Sequence, residues 1–400
     1  MTDHGGIIAD TAISYNTTPR SRYMSVHLLY VLSLVIITST LYLIYWSGPL
    51  NNALHSSITR SEPALVQFRH YISDTNAATP TIHPSKAVSP GITTTLTSSP
   101  QSPPMPIEML DIDKYISFYF GDGRGLGNLM FNLAAAVYVA KLTGRQPAIL
   151  KFNYKMGLDT VFDLGVKRFD NLCPCYVFRE KKSLTYDHRV EELANGSRAE
   201  DARGKSIFLS GFFQSWKYTQ NVERRLRHHF MFLPEVRQFV DKFLEDSWPP
   251  GWVAGFVRVG IHVRRGDVLR DDKIKFGYTT PDERYFAHAM RYFVDRFDRI
   301  QFIVASNDID WCRQKLANLW TTLRHRVNMT FVTPRSAGKD LAVVAYCEHV
   351  IMSTGTYGWW AAWLARGVTI YYADWPRNGS AVANMFDRED YFPPTWIGMT

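Results

Sequence analysis

Over the second half of the chain, short apolar runs alternate with longer stretches of helical spacing. Val257–Val263, Ile300–Ala305, Met329–Val332, His349–Met352 and Thr369–Tyr372 are strand-length and rich in β-branched residues. Between them, the spacing predicts helices over Asp310–Leu319, Asp340–Cys347 and Trp359–Ala365. A further helix is predicted to open at Thr280-Pro281-Asp282-Glu283, with Thr280 as N-cap and Glu283 completing a capping box; Phe286, Met290, Phe293 and Phe297 then share one face. Strands that alternate with helices predict a parallel sheet covered on both faces. The first half is sparser. Ile116–Phe120 predicts a strand, Gly121–Asn128 a glycine-rich turn, and Leu129–Leu142 a helix stopped by Gly144. Ala148–Leu150 reads as a strand, and Ile207–Trp216 as a strand running into an aromatic loop. Trp248-Pro249-Pro250-Gly251-Trp252 breaks regular structure and marks a boundary between two domains, 111–250 and 251–400.

A different pattern precedes residue 111. Val26–Trp46 is 21 residues free of Asp, Glu, Lys and Arg. As a helix it would span ~31 Å, about the hydrocarbon thickness of a bilayer. Arg20 and Arg22 precede it and no Lys or Arg follows before Arg60, so residues 1–25 are expected on the cytosolic side. This predicts a single signal anchor, in preference to a cleaved signal peptide or a buried helix. Residues 47–110 are rich in Ser, Thr and Pro and are expected to form a disordered stem.

The formal net charge is +8, a mild excess for 400 residues that suits anionic substrates. No block of like charges supports nucleic-acid binding, and His, Cys, Asp and Glu do not cluster at zinc-like spacings. On the translocated side, Asn195, Asn328 and Asn378 head glycosylation sequons, Asn328 within an expected strand. Cys312 and Cys347 are open to two readings, a disulfide or two buried thiols.

The most informative segment is Gly260-Ile261-His262-Val263-Arg264-Arg265-Gly266-Asp267. A buried strand ends there in two arginines and a carboxylate. A guanidinium stays charged and can hold two phosphate oxygens at once. Loops 262–267, 306–308 and 353–357 all follow expected strands, so a parallel sheet would gather them at one edge, where α/β proteins bind ligands. The glycines at 123, 125 and 127 allow either a phosphate cradle or a plain tight turn. Asp267 and Asp122 are candidate general bases, and Asp267 is equally suited to pairing with an arginine.

Three motifs together resemble the α1,2-fucosyltransferases of the animal H-type family, glycosyltransferase family 11: Gly125–Phe131, Val259–Asp267, and Asp340–Leu364 with its Ser353-Thr354-Gly355-Thr356-Tyr357-Gly358-Trp359-Trp360 core. The order and spacing agree over about 115–375. Gly123-Arg124-Gly125 is one residue longer than the family pattern, and Leu129 replaces the usual Gln. The resemblance implies a GT-B-like α/β fold of two Rossmann-like domains, the first on the acceptor side and the second binding GDP-fucose. It implies inverting transfer of L-fucose from GDP-β-L-fucose to the 2-hydroxyl of a terminal β-galactoside, in the Golgi lumen. By the same comparison Arg264 meets the β-phosphate, with Arg265 in support. His262 and Asp340 meet the guanine, and Ser353, Thr356, Tyr357 and Gly127 belong to the donor site. Asn128 lies near the scissile bond. No aspartate-x-aspartate metal site is evident, so a divalent metal is expected to be non-essential. A homodimer is compatible with the resemblance. The rival expectations are a fucosyltransferase of α1,6 or protein O-linkage, or an inactive Golgi glycan-binding homologue.

Overall fold

The computed structural model describes residues 112–119, 125–150, 157–170, 172, 175–252, 255–323 and 325–400. The anchor, the stem, Asp122 and Cys173 lie outside the described residues. Pro104–Thr400 falls in one compact unit that holds two sheets, both all-parallel in their pairings. The first sheet comprises β1 (Tyr115–Phe118), β2 (Gln146–Leu150), β3 (Lys167–Phe169), β4 (Cys175–Arg179) and β5 (Ser206–Ser210), in the order β3-β2-β1-β5-β4. The second comprises β6 (Val257–Val263), β7 (Ile300–Ser306), β8 (Val327–Phe331), β9 (His349–Met352), β10 (Thr369–Tyr372) and β11 (Ile397–Met399), in the order β11-β10-β9-β6-β7-β8. The expected boundary at 250/251 falls in the connection between the helix ending at Asp246 and β6.

Strand order reverses once in each sheet. From β6 the chain moves outward through β7 and β8, then returns to β6's other side for β9, β10 and β11. From β1 it moves outward through β2 and β3, and later places β5 on β1's other flank. Loops diverge above such a reversal and leave a crevice at the carboxyl ends of the strands. The β6/β9 and β1/β5 reversals are therefore where the topology places its ligand crevices.

Six helices frame these openings: α1 (Leu126–Thr143), α2 (Pro234–Asp246), α3 (Glu283–Val294), α4 (Ile309–Leu316), α5 (Ala337–Ala345) and α6 (Thr356–Ala365). By length and apolarity α1 could cross a membrane, yet most of it is buried as a core helix. Phe131 of α1 meets Trp359 and Trp360 of α6 at ring-centroid distances of 4.6 and 5.0 Å. All three side chains are fully buried, in a cluster that also takes in α5 and residues of the first sheet. This explains why α1 and α6 are apolar all round: neither has a solvent face of any width.

Several expected boundaries shift. Thr280 is not the cap of α3. Asp282 is, its carboxylate accepting from the N–H groups of Arg284 and Tyr285. An Asp nearer the helix displaces the Thr, because an N-cap serves the N–H groups two and three residues on. The helix also ends at Val294, before Phe297. α5 and α6 begin three residues before their expected starts, with Ser336 and Gly355 as N-caps. α1 likewise begins at Leu126, so Gly127 and Asn128 belong to its first turn rather than to a preceding loop.

Candidate active site

The β6/β9 crevice is built by a reciprocal clamp. The Arg264 N–H donates to Ser353 Oγ at 2.8 Å, and the Ser353 N–H donates to the His262 carbonyl at 3.0 Å. The guanidinium of Arg264 grips Asp267 with two bonds, Nε to Oδ1 at 3.1 Å and Nη2 to Oδ2 at 2.5 Å. Asn307, after β7, donates to the same carboxylate at 3.2 Å and accepts from the N–H groups of Arg265 and Gly266. Two bonds to Asp267 leave three of the five guanidinium N–H groups uncommitted among the described residues. Gly355, at φ +92°, clears their space: a Cβ there would stand 2.4 Å from Arg264 Nη1. The pair tunes both groups. Burial would lower the pKa of Arg264, but the hydrogen bond and charge of Asp267 outweigh it and raise it. The hydrogen bond from Arg264 holds Asp267 below the usual carboxylate range, against a smaller opposing effect of burial. Of the two readings open for Asp267, the structure contains the ion pair. A carboxylate so stabilised is a weakened base.

Arg265 points elsewhere. Its guanidinium lies 4.0 Å from the centre of the Trp311 ring and 3.5 Å from Asp308. It braces the loop after β7 against α4. His262 is 6 % exposed, and its Nδ1 has no hydrogen-bond partner among the described residues. Burial, with a smaller contribution from the Arg264 charge, lowers its pKa to about 3, so the ring is neutral near pH 7. The ring faces Tyr357 at 5.1 Å, and Gly358 makes room for it, since a Cβ there would stand 2.4 Å from Nδ1. The Tyr357 hydroxyl donates to the Ala337 carbonyl, 2.6 Å away at the start of α5. One turn on, Asp340 accepts from the Arg335 N–H, and burial raises its pKa despite these backbone bonds. His262, Tyr357 and Asp340 thus share one side of the crevice.

The β1/β5 reversal supplies the other wall. Asn128, in the first turn of α1, accepts two hydrogen bonds on Oδ1: from Gln214 Nε2 at 2.8 Å and from Thr356 Oγ1 at 2.9 Å. Gln214 follows β5 and Thr356 follows β9, so this one oxygen ties the openings of both sheets together. Gly127 makes the approach possible. A Cβ on it would lie 2.6 Å from the Thr356 carbonyl carbon and 2.7 Å from the Tyr357 nitrogen. Its role in the fold is spacing, and it is buried inside the helix rather than exposed in a phosphate-binding turn.

The sequence pattern did not reveal Gln214. The surrounding loop stands out for its aromatics, and the polar side chain lies between Phe213 and Ser215. Nor did it reveal Tyr278, whose ring lies 5.7 Å from the Arg264 guanidinium, or Tyr391, whose buried hydroxyl lacks a partner among the described residues. Cys312 and Cys347 are two buried thiols, not a disulfide. Asn195 and Asn378 are exposed, whereas Asn328 is half-buried in β8. A cavity of about 940 Å³ lined by Trp216, Trp363 and Trp396 lies at the far end of α6, away from these charged groups. Among the described residues, no cluster of three or more His, Cys, Asp or Glu is placed to hold a metal ion.

The profile of Glycosyl transferase family 11 matches residues 121–400. Mouse galactoside alpha-(1,2)-fucosyltransferase 1 is 30% identical over 279 residues, 69% of this chain and 71% of the mouse protein. The human protein of the same name is 30% identical over 286 residues, 70% of this chain and 74% of its own. Among solved structures, a mutant of Arabidopsis thaliana FUT1 in complex with GDP aligns with TM-score 0.45 and 14% identity, over 70% of this chain and 74% of that one. POFUT1 in complex with GDP-fucose aligns with TM-score 0.43 and 12% identity, over 65% of this chain and 98% of that one. With two all-parallel sheets, a strand-end arginine at one reversal and a family match over most of its length, the chain belongs to glycosyl transferase family 11.

Proposed function

We propose that this chain is a galactoside α1,2-fucosyltransferase, moving L-fucose from GDP-β-L-fucose to the 2-hydroxyl of a terminal β-galactose with inversion, on a GT-B-like scaffold. One observation carries the reading: Arg264 at the β6/β9 reversal, fixed by Asp267 and faced by a glycine. Glycosyl transfer builds negative charge on the departing diphosphate while the sugar becomes oxocarbenium-like. A cation fixed in advance stabilises that state more than the ground state. The three uncommitted N–H groups of Arg264 suit the β-phosphate. The first N–H groups of α6, whose cap Gly355 supplies no side-chain bond, suit the same anion. Asn128, with its oxygen committed twice, has only its NH₂ to offer toward the transferred sugar. His262, Tyr357 and Asp340 fit the base of the nucleotide. Asp267 serves Arg264 and is not assigned as the base.

In this reading transfer needs no divalent metal, since Arg264 and the α6 amides meet the leaving-group charge. The enzyme is held in the Golgi membrane by residues 26–46, with residues 111–400 in the lumen. The test is incubation of the full chain with GDP-fucose and a panel of β-galactosides, with product linkage read by NMR. An α1,2 linkage at unchanged rate in EDTA is expected. A different linkage would overturn the regiochemistry, and a complete, Mn²⁺-restored loss in EDTA would overturn the metal independence.

A further inference from the structure

Asn128 can act at the transferred sugar only if its amide is held one way round. An amide's two ends are nearly isosteric, and rotation by half a turn exchanges two donors for an acceptor. Thr356 does not fix this choice, because a hydroxyl both donates and accepts. The second contact, Gln214, is itself an amide. Whichever way Gln214 faces sets which way Asn128 faces.

The loop carrying Gln214 is held on both sides. The Glu180 carboxylate accepts from the N–H groups of Phe212 and Phe213 at 2.6 and 2.8 Å. Ser215 Oγ donates to the Asp390 carbonyl at 2.5 Å. Phe213, buried beside Phe178 and Tyr218, adopts φ +51°, a conformation that costs an L-residue energy and that only surrounding structure can impose. Gln214 itself is 7 % exposed. One N–H of its Nε2 goes to Asn128, and its Oε1 accepts from no described residue. A nearly buried amide with one end bonded and an acceptor oxygen to spare, on a loop clamped at three positions, is more than the β5 turn requires.

We propose that Gln214 is a positioning residue for the transfer step. Its Nε2 locks Asn128 with the NH₂ toward the donor sugar, and its Oε1 receives a hydroxyl of the incoming acceptor, so that one side chain aligns the two partners. The proposal rests on the fucosyltransferase reading for the identity of the partners, though not for the Gln214–Asn128 link itself.

Four variants of the full chain test it: Gln214→Ala, Gln214→Glu, Asn128→Ala, and the double variant Gln214→Ala/Asn128→Ala. If Gln214 acts through Asn128, the double variant has the kcat of Asn128→Ala, because a group cannot misplace a partner that is gone. Gln214→Ala lowers kcat ~10²-fold and raises KM for the galactoside, while KM for GDP-fucose holds. Gln214→Glu, equal in size but without the donor, behaves like Gln214→Ala. Additive losses in kcat, or a Gln214→Glu variant with wild-type turnover, would overturn the proposal. A neutron structure of Gln214→Ala, which tells the amide nitrogen from the oxygen by its deuterons, stands apart from turnover: the Asn128 amide should rotate or take two orientations. An unmoved Asn128 sinks the inference even if the protein makes no fucoside, whereas a rotated Asn128 in an inactive protein supports the link and sinks only the assigned activity.

Discussion

Gly127→Ala is the sharpest perturbation the structure offers. It adds one methyl to a helix and would ordinarily raise helix propensity. Here the added carbon meets backbone on the opposing helix: 2.6 Å to the carbonyl carbon and 2.7 Å to the oxygen of Thr356, and 2.7 Å to the Tyr357 nitrogen. Carbon contacts at rest lie at about 3.5–4.0 Å. Backbone on a packed helix cannot swing aside as a side-chain tip can, so α1 and α6 must part by about 1 Å. Overpacking of this kind costs about 1–3 kcal/mol. The parting also stretches the 2.9 Å bond from Thr356 to Asn128 beyond hydrogen-bonding range. A displacement of about 1 Å at a reacting group can cost ~10²-fold in rate. The expected result is a lowered melting temperature together with a kcat reduced by about two orders of magnitude. Gly125→Ser serves as the control. Gly125 is the N-cap of α1 at φ −69°, a Cβ added to it would meet no described atom within 4 Å, and serine is a favoured cap. It should retain wild-type stability and rate. A Gly127→Ala protein with normal melting and normal kcat would refute the spacing role. A protein that melts early but turns over normally would refute the link from spacing to Asn128.

Arg264→Lys keeps the charge and loses the fork, so it should lower kcat ~10²–10³-fold with the melting temperature nearly unchanged; single-turnover rates at saturating donor check it. His262 makes stability depend on pH. Its folded pKa is about 3, against 6.5 for the free side chain. The native state therefore binds fewer protons than the unfolded state between those values. This stabilisation is fully present above about pH 6.5 and is lost as pH falls toward 3, at up to ~1.4 kcal/mol per pH unit. Denaturant melts across that window should flatten in His262→Gln, and an identical slope in the variant would exclude this origin. Cys312 and Cys347 are buried thiols with raised pKa values, Cys312 to about 11. Both should resist iodoacetamide in the native protein and react after denaturation, with no change in melting on adding reductant, as mass spectrometry and calorimetry would show.

The second sheet was legible because burial on both faces leaves near-continuous apolar runs, and β6, β7, β9 and β10 lie close to their expected spans. The helix starts were less legible. Asp340, Thr356 and Tyr357 fall in the first turns of α5 and α6, where polar residues serve the site and mask the onset of apolar periodicity. Arg264 and Asp267 were readable as charged groups at a strand end, with Asp267 suited to pairing with an arginine, though which arginine was not legible. Arg265 was not readable in the same way, because its partners Trp311 and Asp308 come from the segment after another strand. Gln214 was hidden for the same reason. Its meaning depends on a residue 86 positions earlier and on Thr356 beyond that, and no local pattern records such a meeting.

Those long-range meetings share a cause in topology. The topology opens each sheet where its strand order reverses, and the two openings carry different groups: a fixed cation at β6/β9, and a pair of amides at β1/β5. What joins them is apolar. Phe131 against Trp359 and Trp360 fixes how α1 lies on α6, and Gly127 fixes how close their first turns come. A hydrogen bond tolerates only a few tenths of an ångström of error before it weakens, and buried aromatic packing holds position to about that tolerance. The large rings in the motif after β9 are therefore as much a part of the site as the charges before it. They decide whether Thr356 can reach Asn128, and hence whether the two openings are joined.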